Sequence, residues 1–313
     1  MARIDVHAHI FPADYLDALD QYRGSADGTA AVRGPGPGTT EDDVAARLAV
    51  MDNADVELQL LSVAPQFPAF EDAEQSSTAA RLANNGVAAV VRDHRARFRG
   101  LAVVPMPHTR NAVDEAHRAL EELGLDGIAT GATVLGRSLA DDYFEPLLRY
   151  LNDREAILFV HPVGDGLGSP LLAALGWVTG HATELTLAAV ELIQKDLLRT
   201  YPKIRFLFPH MCGYAPFIAQ RLDLHADWYL PAGRPPVAEQ LKLLHYDTAN
   251  PTPGALEQTI GVVGASQLMV GTDFPFETGE SLMNHLTYIG KSGIPADQIT
   301  AIESENARRF LRL

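Results

Sequence analysis

The chain has 313 residues, 47 % hydrophobic and 21 % charged, with a formal net charge of -15. Apolar side chains are plentiful enough for a large core, and an acidic surface argues against nucleic acid or an anionic membrane as the main partner. A single cysteine, Cys212, excludes an intrachain disulfide. No apolar run approaches the ~18–20 residues of a membrane span, and no apolar leader opens the chain, so we expect a cytoplasmic protein.

Short β-like runs alternate with helical ones along the chain. Predicted strands are Arg3 to His7, Val56 to Val63 (VELQLLSV), Arg99 to Pro105 (RGLAVVP) and a short DGIATG run from Asp126. They continue with Ala156 to His161 (AILFVH), Ile204 to His210 (IRFLFPH), Leu244 to Thr248 (LHYDT) and Gln267 to Thr272 (QLMVGT). Several are continuous apolar runs, as expected of parallel strands covered on both faces. Helices are predicted at Glu41 to Met51, Gln75 to Phe98, Ala112 to Leu123, Asp142 to Leu151, Glu184 to Thr200 and Ala215 to Ala226. Threonines before Glu41 suit an N-cap and Gly124 suits a C′ position. Eight strands alternating with helices predict an α/β fold, a (β/α)8 barrel, with a doubly wound open sheet as the rival. We expect one domain over 1–313. Its exception is a Gly/Pro-rich loop at about 23–40, either a surface loop or a lid over the catalytic face.

Chemistry-bearing residues sit at strand ends. His7 and His9 are two apart at the end of the first strand, so an extended backbone points them to one face, spaced for a borderline metal such as zinc. His161 ends the fifth strand before Pro162, His210 ends the sixth after Pro209, and Asp273 follows the eighth in GTDFP. In a barrel all five meet at the C-terminal rim, where catalytic residues gather.

Taken together, IDVHAHIFP, FVHP at His161, WVTGHATELTLAA from Trp177, PKIRFLFPH at His210, YDTA at Asp247, GTDFPF and ENARRFL resemble the metal-dependent amidohydrolase superfamily. The resemblance covers nearly the whole chain. It is to the branch containing aminocarboxymuconate semialdehyde, γ-resorcylate and 6-methylsalicylate decarboxylases. It implies a distorted (β/α)8 TIM barrel of the amidohydrolase type and one divalent metal, zinc or in some members manganese. His7, His9, His161 and Asp273 would hold that metal, and His210 would be the acid–base group beside it. Binuclear members of the superfamily carry a carboxylated lysine on strand four. The four lysines here, Lys195, Lys203, Lys242 and Lys291, all lie elsewhere.

The implied reaction is nonoxidative decarboxylation of a small aromatic or unsaturated carboxylic acid, with His210 or Asp273 delivering the proton. The same five residues also suit a hydrolase or hydratase acting on a lactone, amide or enol acid. A metal-binding scaffold without catalysis is the third reading. By resemblance, Arg221 reaches across a homodimer interface to the substrate carboxylate, and the plain alternative is a surface arginine. Trp177 and Phe274 are candidate pocket residues, and Arg33 in the Gly/Pro loop is a further candidate for carboxylate binding. The chain departs from its relatives after His210, where Met211 and Cys212 replace glycines. Cys212 reads as a packed thiol rather than a nucleophile, Asp247 as a structural acceptor, and His108 as the remaining histidine nearest the rim.

Overall fold

The structure is a computed structural model that describes residues 2–34, 36–164 and 169–313, so Pro35 of the Gly/Pro-rich segment lies outside the described residues. Eight strands form one sheet in chain order: β1 (Arg3–His9), β2 (Val56–Ser62), β3 (Phe98–Ala102), β4 (Gly127–Gly131), β5 (Ile157–His161), β6 (Arg205–Phe208), β7 (His245–Asp247) and β8 (Leu268–Met269). Every neighbouring pair is parallel. The sheet closes where the chain after β8 meets β1, through parallel bridges Asp5 to Val270 and Ala8 to Phe274. Backbone bonds complete the seam, including Asp273 N to His7 O at 2.9 Å and His9 N to Phe274 O at 2.7 Å. The α/β barrel expected from the pattern is therefore the fold, and the open sheet is excluded.

Helices cover the outside: α1 (Ala13–Arg23), α2 (Glu41–Asn53), α3 (Ala73–Asp93), α4 (Thr109–His117), α5 (Glu145–Asp153), α6 (His181–Gln194), α7 (Ala215–Leu224), α8 (Pro253–Val263) and α9 (Gly279–Thr287). Local chemistry sets their ends. Thr40 and Asp43 form a reciprocal capping box at the start of α2. Asp196, in the left-handed region at φ 61°, breaks the predicted Glu184 to Thr200 helix after α6. The first strand runs on to His9, two residues past its predicted end, while the others are shorter than the apolar runs predicted. The sixth ends at Phe208, leaving His210 beyond it.

Strand alternation builds two cores. Ile4, Val6, Leu58, Leu60, Leu101, Ile157, Phe159 and Leu207 pack inside the barrel, with Phe310 and Leu311 of the C-terminal helix against them. Ala8, Leu61, Leu158 and Val160 pack outward beneath the helices. Along β1 the parity changes: Ile4 and Val6 face in, yet Ala8 faces out. The register shifts between Asp5 and Ala8. That bulge carries His7, and with it His9, to the inner face, a usual way for a strand to re-aim a side chain beside a site.

Candidate metal centre

Four side chains converge at the C-terminal rim. His7, His9 and His161 are buried, and their ligand atoms and those of Asp273 lie within 4.8 Å of one another. His7 Nε2 is 3.0 Å from His9 Nε2. Asp273 Oδ1 is 2.9 Å from His9 Nε2 and 3.3 Å from His7 Nε2. Donors bound ~2.0–2.1 Å from one tetrahedral ion stand roughly 3.3 Å apart, close to these spacings.

Each outer nitrogen faces a polar partner. His7 Nδ1 is 2.8 Å from Asp247 Oδ2, and His9 Nδ1 is 3.1 Å from the Ser62 hydroxyl. His161 Nδ1 donates to the Pro162 carbonyl at 2.8 Å. That bond leaves His161 Nε2 as the lone-pair nitrogen, and it is buried with no hydrogen-bond partner. A buried acceptor without a donor is costly unless a cation fills the gap. Engaged Nδ1 atoms behind converging Nε2 atoms are also the arrangement that holds ligating histidines in place. The residues thus fit one divalent ion.

Charge in the cluster supports the same fit. Burial alone lowers the pKa of His7, but the carboxylates of Asp247 and Asp273 beside it raise it to about 10. Burial dominates at His9 and takes it down to about 4. Burial opposes ionisation of Asp273, yet His7 and its hydrogen bonds hold it well below the usual carboxylate range. The buried carboxylate of Asp247 and the partly buried one of Asp273 around three imidazoles need positive charge, from a proton or from a metal.

His210 stands beside this group with its ring centroid 5.1 Å from that of His7. It opens a left-handed run, His210 (φ 54°), Met211 (54°), Cys212 (60°) and Gly213 (63°). Left-handed backbone costs roughly 1–2 kcal/mol per non-glycine residue, and strain of this kind collects at functional sites. Asp247 Oδ1 fixes the run by accepting from His210 N and Ala249 N, both at 2.9 Å. His210 Nδ1 donates to the Ala249 carbonyl at 2.7 Å, leaving Nε2 as the proton-exchanging atom. His7, His210 and Asp247 also form a compact trio. Its contacts are the mutual ones just described, so it supports the metal group rather than forming a second site.

A cavity of about 450 Å³ opens over His210 and Asp273. Trp177 is on its wall, 67 % exposed, and its ring contacts His181 at 5.3 Å and Phe276 at 5.6 Å. Glu277, Ser281 and His285 also line it, and none stood out in the sequence. Phe274 does not reach the cavity. Its ring is buried beneath the Arg47 guanidinium at 4.7 Å, and Phe276 instead packs 5.4 Å from His9. Arg33 is also elsewhere, paired with Asp17 at 2.9 Å and Asp20 at 2.6 Å on α1. Arg221 is exposed on α7 and does not line the cavity of its own chain. His108 Nε2 contacts the Phe70 carbonyl at the start of α4. Cys212 is fully buried, and burial pushes its thiol pKa up, in keeping with a packing role.

Sequence reasoning also missed Arg47. It is buried in α2, donates to the carbonyl of His9 and to Gln59 Oε1 at 3.1 Å, and so clamps the end of β1. Burial lowers its pKa to about 10.

The chain is similar to known proteins along nearly its whole length. The family model described as amidohydrolase matches residues 4–313. A 2-amino-3-carboxymuconate-6-semialdehyde decarboxylase from Dictyostelium discoideum is 26 % identical over 306 residues, covering 91 % of this chain and 84 % of that protein. A γ-resorcylate decarboxylase from a Polaromonas species is 27 % identical over 256 residues, covering 74 % and 76 %. A dihydroxybenzoic acid decarboxylase structure from Polaromonas, with bound manganese and the inhibitor 2-nitroresorcinol, superimposes with a TM-score of 0.83. Its identity is 21 %, covering 100 % of this chain and 97 % of that one.

Proposed function

The chain belongs to the amidohydrolase family, and on that premise we propose that it is a metal-dependent nonoxidative decarboxylase of a small aromatic or unsaturated carboxylic acid. The observation that carries the reading is the convergent His7, His9, His161 and Asp273 set with the Nε2 of His210 free beside it. The full-length relatives named as decarboxylases support the same reaction class.

His7, His9, His161 and Asp273 would hold one divalent ion, which polarises bound oxygen and lowers the pKa of bound water. Three imidazoles and one carboxylate favour zinc. Manganese, present in the Polaromonas structure, is the alternative that metal analysis decides. His210 carries the proton. With Nδ1 tied to Ala249, its ring presents Nε2 in one orientation, from which an imidazolium donates to the carbon bearing the carboxylate. The carbon–carbon bond then breaks, its electron pair returns to the substrate's π system, and CO2 leaves. Phe276 and Trp177 supply aromatic surface beside His9 and at the mouth, which suits a flat, unsaturated substrate.

Arg221 would serve a second copy of the chain. It stands on α7 with Phe217 and Leu224, at helix positions i-4 and i+3, 71 % and 75 % exposed. Apolar side chains flanking an exposed arginine suit the face of a homodimer that brings this arginine to the neighbouring cavity.

The test is CO2 release from a panel of ortho-hydroxybenzoates and muconate-type acids by metal-loaded protein, with a chelated control. Metal-dependent release is expected. Metal-replete protein that releases none and instead cleaves lactones or amides would establish the hydrolase reading.

A further inference from the structure

A second cavity, of about 260 Å³, lies on the other side of the metal group. The 450 Å³ cavity stands over the ends of β6 to β8, whereas this one stands over the ends of β2 to β4. Between these two halves of the barrel run β1 and β5, which carry His7, His9 and His161. Phe67 joins the second cavity to the metal group, its ring centroid 6.5 Å from that of His161. Strand β4 makes room for it. Ala129 faces the barrel interior in register with Phe159, and Gly131, two residues on, is in register with His161. Neither offers a side chain beyond a methyl group. Gly131 also lets the chain fold back on β4, since a Cβ there would clash with the Thr133 carbonyl oxygen. The antiparallel pair of Thr133–Val134 with Arg137–Ser138 follows, and its Val134 and Leu135 line the cavity.

This lobe is apolar. Phe67, Ala69, Val104, Met106, Val134 and Leu135 dominate its lining, and among the described residues only Thr130 and Thr133 add hydroxyls. Among the same residues one charge stands at its edge, that of Arg23, exposed at the end of α1. Its Nη1 is 2.9 Å from Gln66 Oε1 and its Nη2 3.4 Å from the Phe67 carbonyl, so the guanidinium is already held by neutral acceptors and by water. A cavity lined in this way gives water few partners and takes an apolar group instead. On the reading that the chain is a decarboxylase, the reacting carboxylate belongs in the wider cavity with the ion, His210 and the Arg221 of a second copy. On that reading we propose that the lobe receives an apolar arm of the same substrate. The substrate is an acid with an unbranched hydrocarbon chain that points away from His210, past Phe67, and ends among Val104, Met106 and Leu135. At about 30 Å³ per non-hydrogen atom, the lobe holds a chain of roughly eight.

The experiment is titration calorimetry on the zinc-loaded protein with 2-hydroxybenzoate and its propyl, pentyl, heptyl and nonyl derivatives, the chain placed in turn at carbon 4, 5 and 6. At one of these positions affinity should rise about threefold per buried methylene through pentyl, and level off between heptyl and nonyl as the lobe fills. Ala69→Phe and Leu135→Trp fill the lobe from two separate segments. In each, the ratio of pentyl to parent affinity should fall at least tenfold, with thermal melting to show that the variant is folded. A chain of the same length ending in a carboxylate should bind more weakly than the plain chain. A rise of less than twofold per methylene at every position, a ratio unchanged in both variants, or tighter binding of the carboxylate-ended chain would each overturn the proposal. CO2 release from the same acids separates the lobe from the reaction. A rise with chain length without release removes the decarboxylase reading and leaves the lobe standing. Release without any dependence on length overturns the lobe alone, and absence of binding by every acid overturns both.

Discussion

Asp247→Asn is the sharpest probe of the metal group, because it removes no ligand and changes no volume. Asp247 faces three donors in the native site. Oδ1 accepts from the amides of His210 and Ala249, and Oδ2 lies 2.8 Å from His7 Nδ1. An asparagine offers one acceptor atom and one donor atom. If its oxygen keeps the two amides, its NH2 faces the N–H of His7. If it flips, its NH2 faces both amides. The easiest relief is for His7 to move its proton to Nε2, but that withdraws the lone pair that ligates. Loss of such an orienting partner typically costs 10–100-fold in metal affinity, or about 1.4–2.7 kcal/mol. The same range follows from leaving one buried polar group unsatisfied, about 1–3 kcal/mol. Competition for zinc against a chelator of known affinity measures the effect directly, and thermal melting of the metal-free variant reports any folding damage separately. A variant whose zinc affinity stays within threefold of native would refute the argument that Asp247 fixes the tautomer of His7.

Three further outcomes follow from the geometry. His210→Ala should retain metal, measured by elemental analysis, while CO2 release falls by about 10²–10⁴-fold; full activity would remove His210 from the chemistry. Mixing inactive Arg221→Ala protein with inactive His210→Ala protein, followed by subunit exchange, should restore activity, because a mixed dimer holds one intact site; no recovery with exchange demonstrated by sedimentation would show that the arginine is not shared. Gly213→Ala should lower stability by about 2–3 kcal/mol in denaturant titration, since it combines left-handed strain with a clash. The added Cβ would sit 2.1 Å from the Ala182 carbonyl at φ 63°, and a change under 0.5 kcal/mol would contradict that packing.

Much of this was legible in the sequence because parallel barrel strands are apolar on both faces and announce themselves as continuous runs. The order of β1 to β8 follows directly from that pattern. Where reading by strand failed, local backbone was the reason. His7 and His9 share a face as the spacing predicts, but the bulge that turns them inward has no sequence signature. His210 was read as the last residue of a strand. It lies past the strand, at the head of a left-handed run that hydrogen bonds tie to Asp247 and Ala249. Those partners are 37 and 39 residues away, beyond any local pattern.

The exchange of Phe274 for Phe276 follows from one backbone angle. Asp273 has φ 61°, so the chain turns there instead of continuing the strand. Phe274 still bridges to Ala8 and drops beneath Arg47 into the outer core, while Phe276, whose amide donates to the Asp273 carbonyl at 2.9 Å, swings back toward His9. The same turn delivers Glu277 and the start of α9 to the cavity. The left-handed Asp273 that turns its carboxylate toward His7 and His9 therefore also decides which side chains stand over that cluster. Ligands read by type and spacing are legible in sequence, because the chemistry restricts them to histidine and aspartate. The rest of the cavity wall is free to be any residue the turn presents, and the folded chain identifies it.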